Sequence, residues 1–174
     1  MSKERSGVFK FRGQEVTVIG PDLQVGQQAP EFTAQASDWS MVNALVSTRG
    51  RVRVIGSLPS LNTSVCDRET RKFNEEAAAL GDQIAILMVS MDLPYTLSNW
   101  CAAAGVDKVV TLSDHKHAEF GEKYGVLLKE PRVFRRAIFV VDRQGVVVYA
   151  AYMPAIGDEP DYAAVLGAAR EALG

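Results

Sequence analysis

Between Val52 and Val89 the hydrophobic period of the chain changes twice, and no other feature constrains the fold as strongly. Val52, Val54 and Ile55 form a β-favouring run that ends in Gly56-Ser57-Leu58-Pro59, where a central strand cannot continue. From Cys66 onward, Cys66, Thr70, Phe73, Ala77 and Leu80 fall at offsets 0, 4, 7, 11 and 14, the period of one helix face. Asp67, Arg68, Arg71, Lys72 and Glu75 lie off that face, and Gly81-Asp82 ends the helix. Ile84 to Val89 is then a nearly continuous apolar run of strand length, the pattern of a strand buried on both faces. The spacing predicts strand, loop, amphipathic helix and buried strand in succession.

The flanking segments extend this alternation. Residues 8 to 18 read as a hairpin turning at Gly13-Gln14, and Gly26 to Phe32 as an extended entry held by Pro30. After Asp92-Leu93-Pro94 a short helix runs from Tyr95 to Ala104 and stops at Gly105, carrying Cys101. Val109 to Leu112 is a short strand, and Asp114 can cap a helix running to Tyr124. Ala137 to Val141 and Val146 to Tyr152 flank an Asp-Arg-Gln-Gly turn, and Asp161 to Leu173 closes as an Ala-rich helix. The expected fold is an α/β sandwich with a mixed central sheet flanked by helices and an N-terminal β-hairpin, matching a thioredoxin-like core. No repeat, linker or composition break interrupts residues 1–174, so a single domain is expected.

Composition narrows the function classes. The 19 Lys and Arg against 21 Asp and Glu leave a net charge of -2, with no basic patch for a phosphate backbone, so nucleic acid is not an expected partner. No charge-free stretch approaches the roughly 18 apolar residues that span a bilayer. The charged start Met1-Ser2-Lys3-Glu4-Arg5 leads into alternating residues and not a signal-peptide core, so the expected location is the cytoplasm, with no membrane partner. Only two cysteines are present, Cys66 and Cys101, too few for a disulfide scaffold.

The predicted helix starts close to Cys66, where unsatisfied backbone N–H groups and the positive end of the helix dipole favour a thiolate. Thr63 stands three residues earlier, the spacing of an N-cap hydroxyl that would lie beside the sulfur, and Pro59 would shield one side of the pocket. Against this stands a plain alternative: Cys66 as a small buried residue on the inner helix face. Cys101 and Arg136 have equally plain alternatives, a packed core thiol and a solvated charge at a strand edge.

The stretch Pro59-Ser60-Leu61-Asn62-Thr63-Ser64-Val65-Cys66 resembles the Pro-x-x-x-Thr-x-x-Cys motif of peroxiredoxins, and with Arg71-Lys72-Phe73-Asn74 it resembles the bacterial thiol peroxidases. Gly26 to Phe32, Asp92-Leu93-Pro94-Tyr95, Arg135-Arg136-Ala137-Ile138 and Glu159-Pro160-Asp161-Tyr162 match further elements of that family in the same order. The resemblance covers nearly the whole chain. It implies a thiol-dependent peroxidase for hydrogen peroxide and organic hydroperoxides, with an antioxidant role. Cys66 would attack the peroxide as a thiolate and become a sulfenic acid, Thr63 would bond sulfur and peroxide, and Arg136 would hold the developing charge. Arg135, one position away, would face the other side.

The resemblance also makes Cys101 the resolving cysteine of an intramolecular disulfide with Cys66, recycled by thioredoxin. It implies a homodimer and no cofactor. Cys66 and Cys101 stand 35 positions apart in sequence, on separate helices, so bridging is expected to need local unwinding. Two alternatives stay open: a one-cysteine cycle with Cys101 structural, and a peroxide-sensing relay or binding module without high turnover. Asn62, Tyr95 and Trp100 depart from the family's usual Asp, Phe and Phe. His115 and His117 are expected as solvated helix residues and not metal ligands.

Overall fold

The computed structural model describes residues 2–174. The chain opens with β1 (Glu4–Phe11) and β2 (Gln14–Ile19), then β3 (Thr33–Gln35), β4 (Met41–Asn43) and the short helix α1 (Ala44–Ser47). β5 (Val52–Ser57), α2 (Ser64–Leu80), β6 (Ile84–Ser90), α3 (Pro94–Ala104) and β7 (Val110–Ser113) supply the strand and helix alternation. There follow α4 (Glu119–Lys123), β8 (Leu127–Leu128), β9 (Val133–Phe134), β10 (Ala137–Val141), β11 (Val147–Tyr152) and α5 (Tyr162–Leu173).

The central sheet has the order β11-β10-β5-β6-β7-β3-β4. β5, β6 and β7 run parallel, while β10 pairs antiparallel with β5 and β11, and β3 antiparallel with β7 and β4. It is a mixed sheet. Alternation along each strand divides its side chains between two cores. Val52, Val54, Ile84, Ile86, Met88, Ile138 and Val140 face the core shared with α2, α3 and α5. Ile55, Leu87, Val89, Phe139 and Val141 face a second core with Phe32, Ala44, Phe120 and Tyr124. Burying one such side chain contributes about 1.5–3 kcal/mol, and a slip of one residue would exchange the two sets, so the register is strongly determined.

Several sequence expectations need correction. The first hairpin turns at Arg12-Gly13, both with positive φ (51° and 81°), because Phe11 pairs with Gln14. A second sheet of order β1-β2-β8-β9 carries its own small core of Phe9, Val16, Val18 and Leu128. The short segments β3, β4, α1, β8 and β9 have too little periodicity to show in sequence. The helix expected from Asp114 to Tyr124 is confined to α4, since Ala118 adopts a left-handed conformation (φ 55°) that α-helical backbone does not allow. Asp114 still serves it, its Oδ2 accepting from the Gly121 N–H at 2.9 Å. His115 and His117 therefore lie in a turn, with His115 Nε2 2.8 Å from Gln35 Oε1.

Candidate active site

β5 and β6 end side by side, and the segment leaving β5 is fastened where they end. Leu58 N donates to Val89 O, and Asp92 accepts from Ser60 Oγ (2.7 Å), Leu61 N (2.8 Å) and Ser90 Oγ (2.9 Å). One carboxylate thus pins the loop that carries Pro59 and leads into α2. Thr63 is the N-cap of that helix with extended backbone (φ -95°, ψ 146°), and Cys66 is its third residue. The helix begins there because Thr63 and Ser64 are poor helix-interior residues, and the alanines and leucine of its last turn run on to Gly81, whose positive φ ends it. Cys66 is fully buried.

Arg136, immediately before β10, reaches the sulfur: its Nη2 lies 3.2 Å from Cys66 Sγ and 3.3 Å from Ile156 O, and its Nη1 pairs with Glu69 Oε2. Burial alone would lower the guanidinium pKa, but the Glu69 carboxylate and the Cys66 sulfur more than offset it, and the net direction is upward. A full positive charge therefore sits against the sulfur. Arg135 points the other way, donating to Gly125 O at 3.0 and 2.7 Å, pairing with Asp22 and lying 4.2 Å over the Tyr152 ring. Neighbouring positions of extended chain face opposite sides, so only Arg136 meets Cys66.

The expected side-chain cap at Thr63 does not form. Its Oγ donates to Ser60 O at 2.9 Å, and the cap is made by its own carbonyl, which accepts from Asp67 N at 3.0 Å. Turning the hydroxyl back on its own loop leaves its oxygen lone pairs free to accept. A cavity of about 370 Å³ opens here, lined by Phe11, Pro59, Thr63, Val65, Val133, Arg136 and Ile156. Arg136 belongs both to this cavity and to the buried sulfur. Phe11 of the hairpin and Val133 of β9 supply part of the apolar wall, so the second sheet, which sequence reasoning missed beyond its first hairpin, completes the site.

Cys101 stands apart from this cluster. On α3 it is half-buried, and its Sγ lies 3.3 Å from Thr111 Oγ1 on β7. Both cysteines are free thiols.

Residues 24–166 match the redoxin family. Thiol peroxidase of Oceanobacillus iheyensis is 46% identical over 156 residues, covering 90% of this chain and 94% of that protein. Thiol peroxidase of Bacillus subtilis is 44% identical over 160 residues, covering 92% and 95%. The chain belongs to the redoxin family, among the thiol peroxidases. Among solved structures, a peroxiredoxin-like protein from Aquifex aeolicus is 34% identical with a TM-score of 0.84, covering 96% of this chain and 98% of that one. The expected thioredoxin-like α/β fold is thereby borne out, and the protein is a thiol-dependent peroxidase of peroxiredoxin type.

Two residues of this redoxin site escaped the sequence reading. Glu69 is fully buried, and burial pushes its carboxyl up to about 7 against the pull of Arg136. The available signal was its offset of three from Cys66, which puts a carboxylate on the apolar helix face, where a charge needs a partner. Asp92 was legible as a strand breaker and as part of a family element, but its role in pinning the loop was not, because its partners Ser60 and Leu61 lie 32 and 31 residues away. Among the described residues no group of three His, Cys, Asp or Glu is placed to hold a metal ion, and no helix is long and apolar enough to cross a membrane.

Proposed function

We propose that Cys66 is the peroxidatic cysteine, Arg136, Thr63 and Pro59 the residues that build its pocket, and Cys101 the resolving cysteine. The observation that carries the reading is the Arg136 guanidinium held 3.2 Å from the buried Cys66 sulfur. A thiolate at the first turn of α2 is stabilised by that cation and by the unsatisfied N–H groups of the helix start. It attacks the terminal oxygen of a hydroperoxide; the S–O bond forms and the O–O bond breaks. The departing alkoxide or hydroxide takes up a proton through solvent at the cavity mouth, and Cys66 becomes a sulfenic acid. Arg136 faces both thiolate and peroxide and stabilises the charge moving onto the leaving oxygen. Thr63 Oγ accepts the hydroperoxide O–H, and Pro59 offers no competing donor. The apolar wall of Phe11, Val65, Val133 and Ile156 suits organic hydroperoxides as well as hydrogen peroxide.

Cys101 then attacks the sulfenic sulfur, an S–S bond replaces the S–O bond, and water leaves. A dithiol of the thioredoxin type reduces the bridge. Residues 1–174 act as one domain in the cytoplasm, paired as a homodimer. The similarity to thiol peroxidases favours an enzyme that turns over rather than a sensing relay.

Mass spectrometry after one equivalent of peroxide tests the cycle. Loss of two hydrogens is expected. Gain of one oxygen that persists would instead support a one-cysteine cycle, and a Cys66→Ser protein that still consumes peroxide with thioredoxin would overturn the assignment of Cys66.

A further inference from the structure

Asp67 directly follows Cys66 on α2, and Trp100 directly precedes Cys101 on α3. These two neighbours are joined: Trp100 Nε1 donates to Asp67 Oδ1 at 2.8 Å. The second carboxylate oxygen accepts from Arg71 Nε at 2.9 Å, and Arg71 Nη1 donates to Ala104 O, at the end of α3, at 3.2 Å. The Arg71 guanidinium also lies 5.6 Å over the Trp100 ring. Three side chains thus fasten the first turns of α2 to the middle and end of α3. Trp100 is 8% exposed and the Asp67 side chain 33%, so this charge-assisted bond to a carboxylate is partly shielded from water.

The two sulfurs meanwhile face different partners. Cys66 Sγ meets Arg136, and Cys101 Sγ meets Thr111 on β7. A disulfide needs both Cβ atoms turned toward each other with Cα atoms within about 7 Å. Turning Cys101 from Thr111 toward Cys66 rotates or unwinds the segment that holds Trp100, and this draws the indole N–H off Asp67.

We infer that Asp67 and Trp100, supported by Arg71, are positioning residues that set the rate of the resolving step. They hold α3 on α2 in the dithiol arrangement and must part before Cys101 can reach the sulfenic acid. This rests on the Cys66–Cys101 bridge proposed above. The step is Cys66–SOH with Cys101–SH giving Cys66–S–S–Cys101 and water. While the clamp holds, the sulfenic acid waits, and a second hydroperoxide can oxidise it to the sulfinic acid, releasing the corresponding alcohol or water.

The test uses the full chain, mixed rapidly with one equivalent of hydrogen peroxide, acid-quenched and read by intact mass. Trp100→Phe keeps the ring and removes only the N–H donor; Asp67→Asn weakens the acceptor from the other helix. Both variants are expected to form the disulfide on the order of tenfold faster than the parent chain. Loss of the starting thiol, which reports the peroxide step, should stay within about twofold. At excess peroxide, both should accumulate correspondingly less sulfinic acid. A merely structural role for the pair would lower melting temperature without accelerating one step selectively. Equal or slower disulfide formation in both variants overturns the inference while leaving the bridge intact. A parent chain that keeps one added oxygen and never loses two hydrogens overturns the bridge and the inference together. If Trp100→Phe does not fold, Asp67→Asn, at a residue whose side chain is 33% exposed, carries the same test alone.

Discussion

Glu69 and Arg136 form an ion pair with 0% and 1% of their side chains exposed, and while Arg136 Nη1 meets Glu69 its Nη2 meets the Cys66 sulfur. Removing two charges from water is costly, and the pair recovers that cost only while both members are present. It holds a guanidinium, by its two nitrogens, in one orientation against the nucleophile.

Arg136→Gln should therefore cost about 3–5 kcal/mol of stability, because it strands a buried carboxylate. It should also lower peroxide kcat/KM by about a hundredfold or more. Adding Glu69→Gln should restore much of the stability and none of the activity. Urea unfolding and stopped-flow kinetics on the two proteins check this; a double variant less stable than the single one would refute the coupling.

Asp114 gives a pH signature separate from the site. Its Oδ1 is buried without a partner, and burial pushes the carboxyl up to about 7, against the lowering effect of the N–H groups at the start of α4. The folded state therefore keeps the proton to higher pH than the unfolded chain, whose value is near 3.8. The resulting stabilisation is complete below that pH and is lost as pH rises through about 7. Compared with Asp114→Asn, the advantage of the parent chain should fall by roughly 2–4 kcal/mol between about pH 4 and pH 8. A difference that stays constant across that range in urea titrations would contradict the assignment.

Asp92 links the ends of β5 and β6 through Ser60, Leu61 and Ser90. Asp92→Ala should cost about 1–3 kcal/mol and free the loop that positions Pro59 and Thr63. A drop of about tenfold in peroxide kcat/KM is expected, with Cys66 still alkylated when unfolded. Unchanged kinetics would show that the loop holds its shape without this carboxylate.

Gly20 docks the N-terminal hairpin on the body. Its φ is +85°, and a Cβ there would lie 1.8 Å from the Glu122 backbone oxygen. Gly20→Ala should destabilise the protein by about 2–4 kcal/mol and withdraw the Phe11 wall, reducing activity on a bulky organic hydroperoxide more than on hydrogen peroxide. Gly7→Ala is the control: its φ is +72° but nothing lies within 4 Å of the added carbon, so only the backbone cost of about 1 kcal/mol is expected. Thermal unfolding and substrate comparison distinguish them.

Long periodic segments were readable because their period is local. The stripe from Cys66 to Leu80 and the apolar run from Ile84 locate α2 and β6, and Gly81 and Gly105 mark helix ends where the structure has them. The short strands β8 and β9 were not readable, since two residues carry no period and pair only because β2 offers an edge. The α4 boundary was missed for a related reason: nothing in the Asp114 to Ala118 sequence announces a left-handed alanine.

The sequence by itself determined the elements of the parallel core, the cysteine at the head of α2 and, through strand alternation, that Arg135 and Arg136 face opposite sides; which of the two faces the cysteine came from the family resemblance. Only the tertiary structure decided how the charges around Cys66 are paired. It sends the Thr63 hydroxyl to Ser60, brings Glu69 beneath Arg136 across 67 residues, and fastens Asp67 to Trp100 across 33. A buried polar group must find a partner within about 3 Å wherever the chain folds back, and that partner is chosen by packing between distant elements. Spacing along the chain does not encode it.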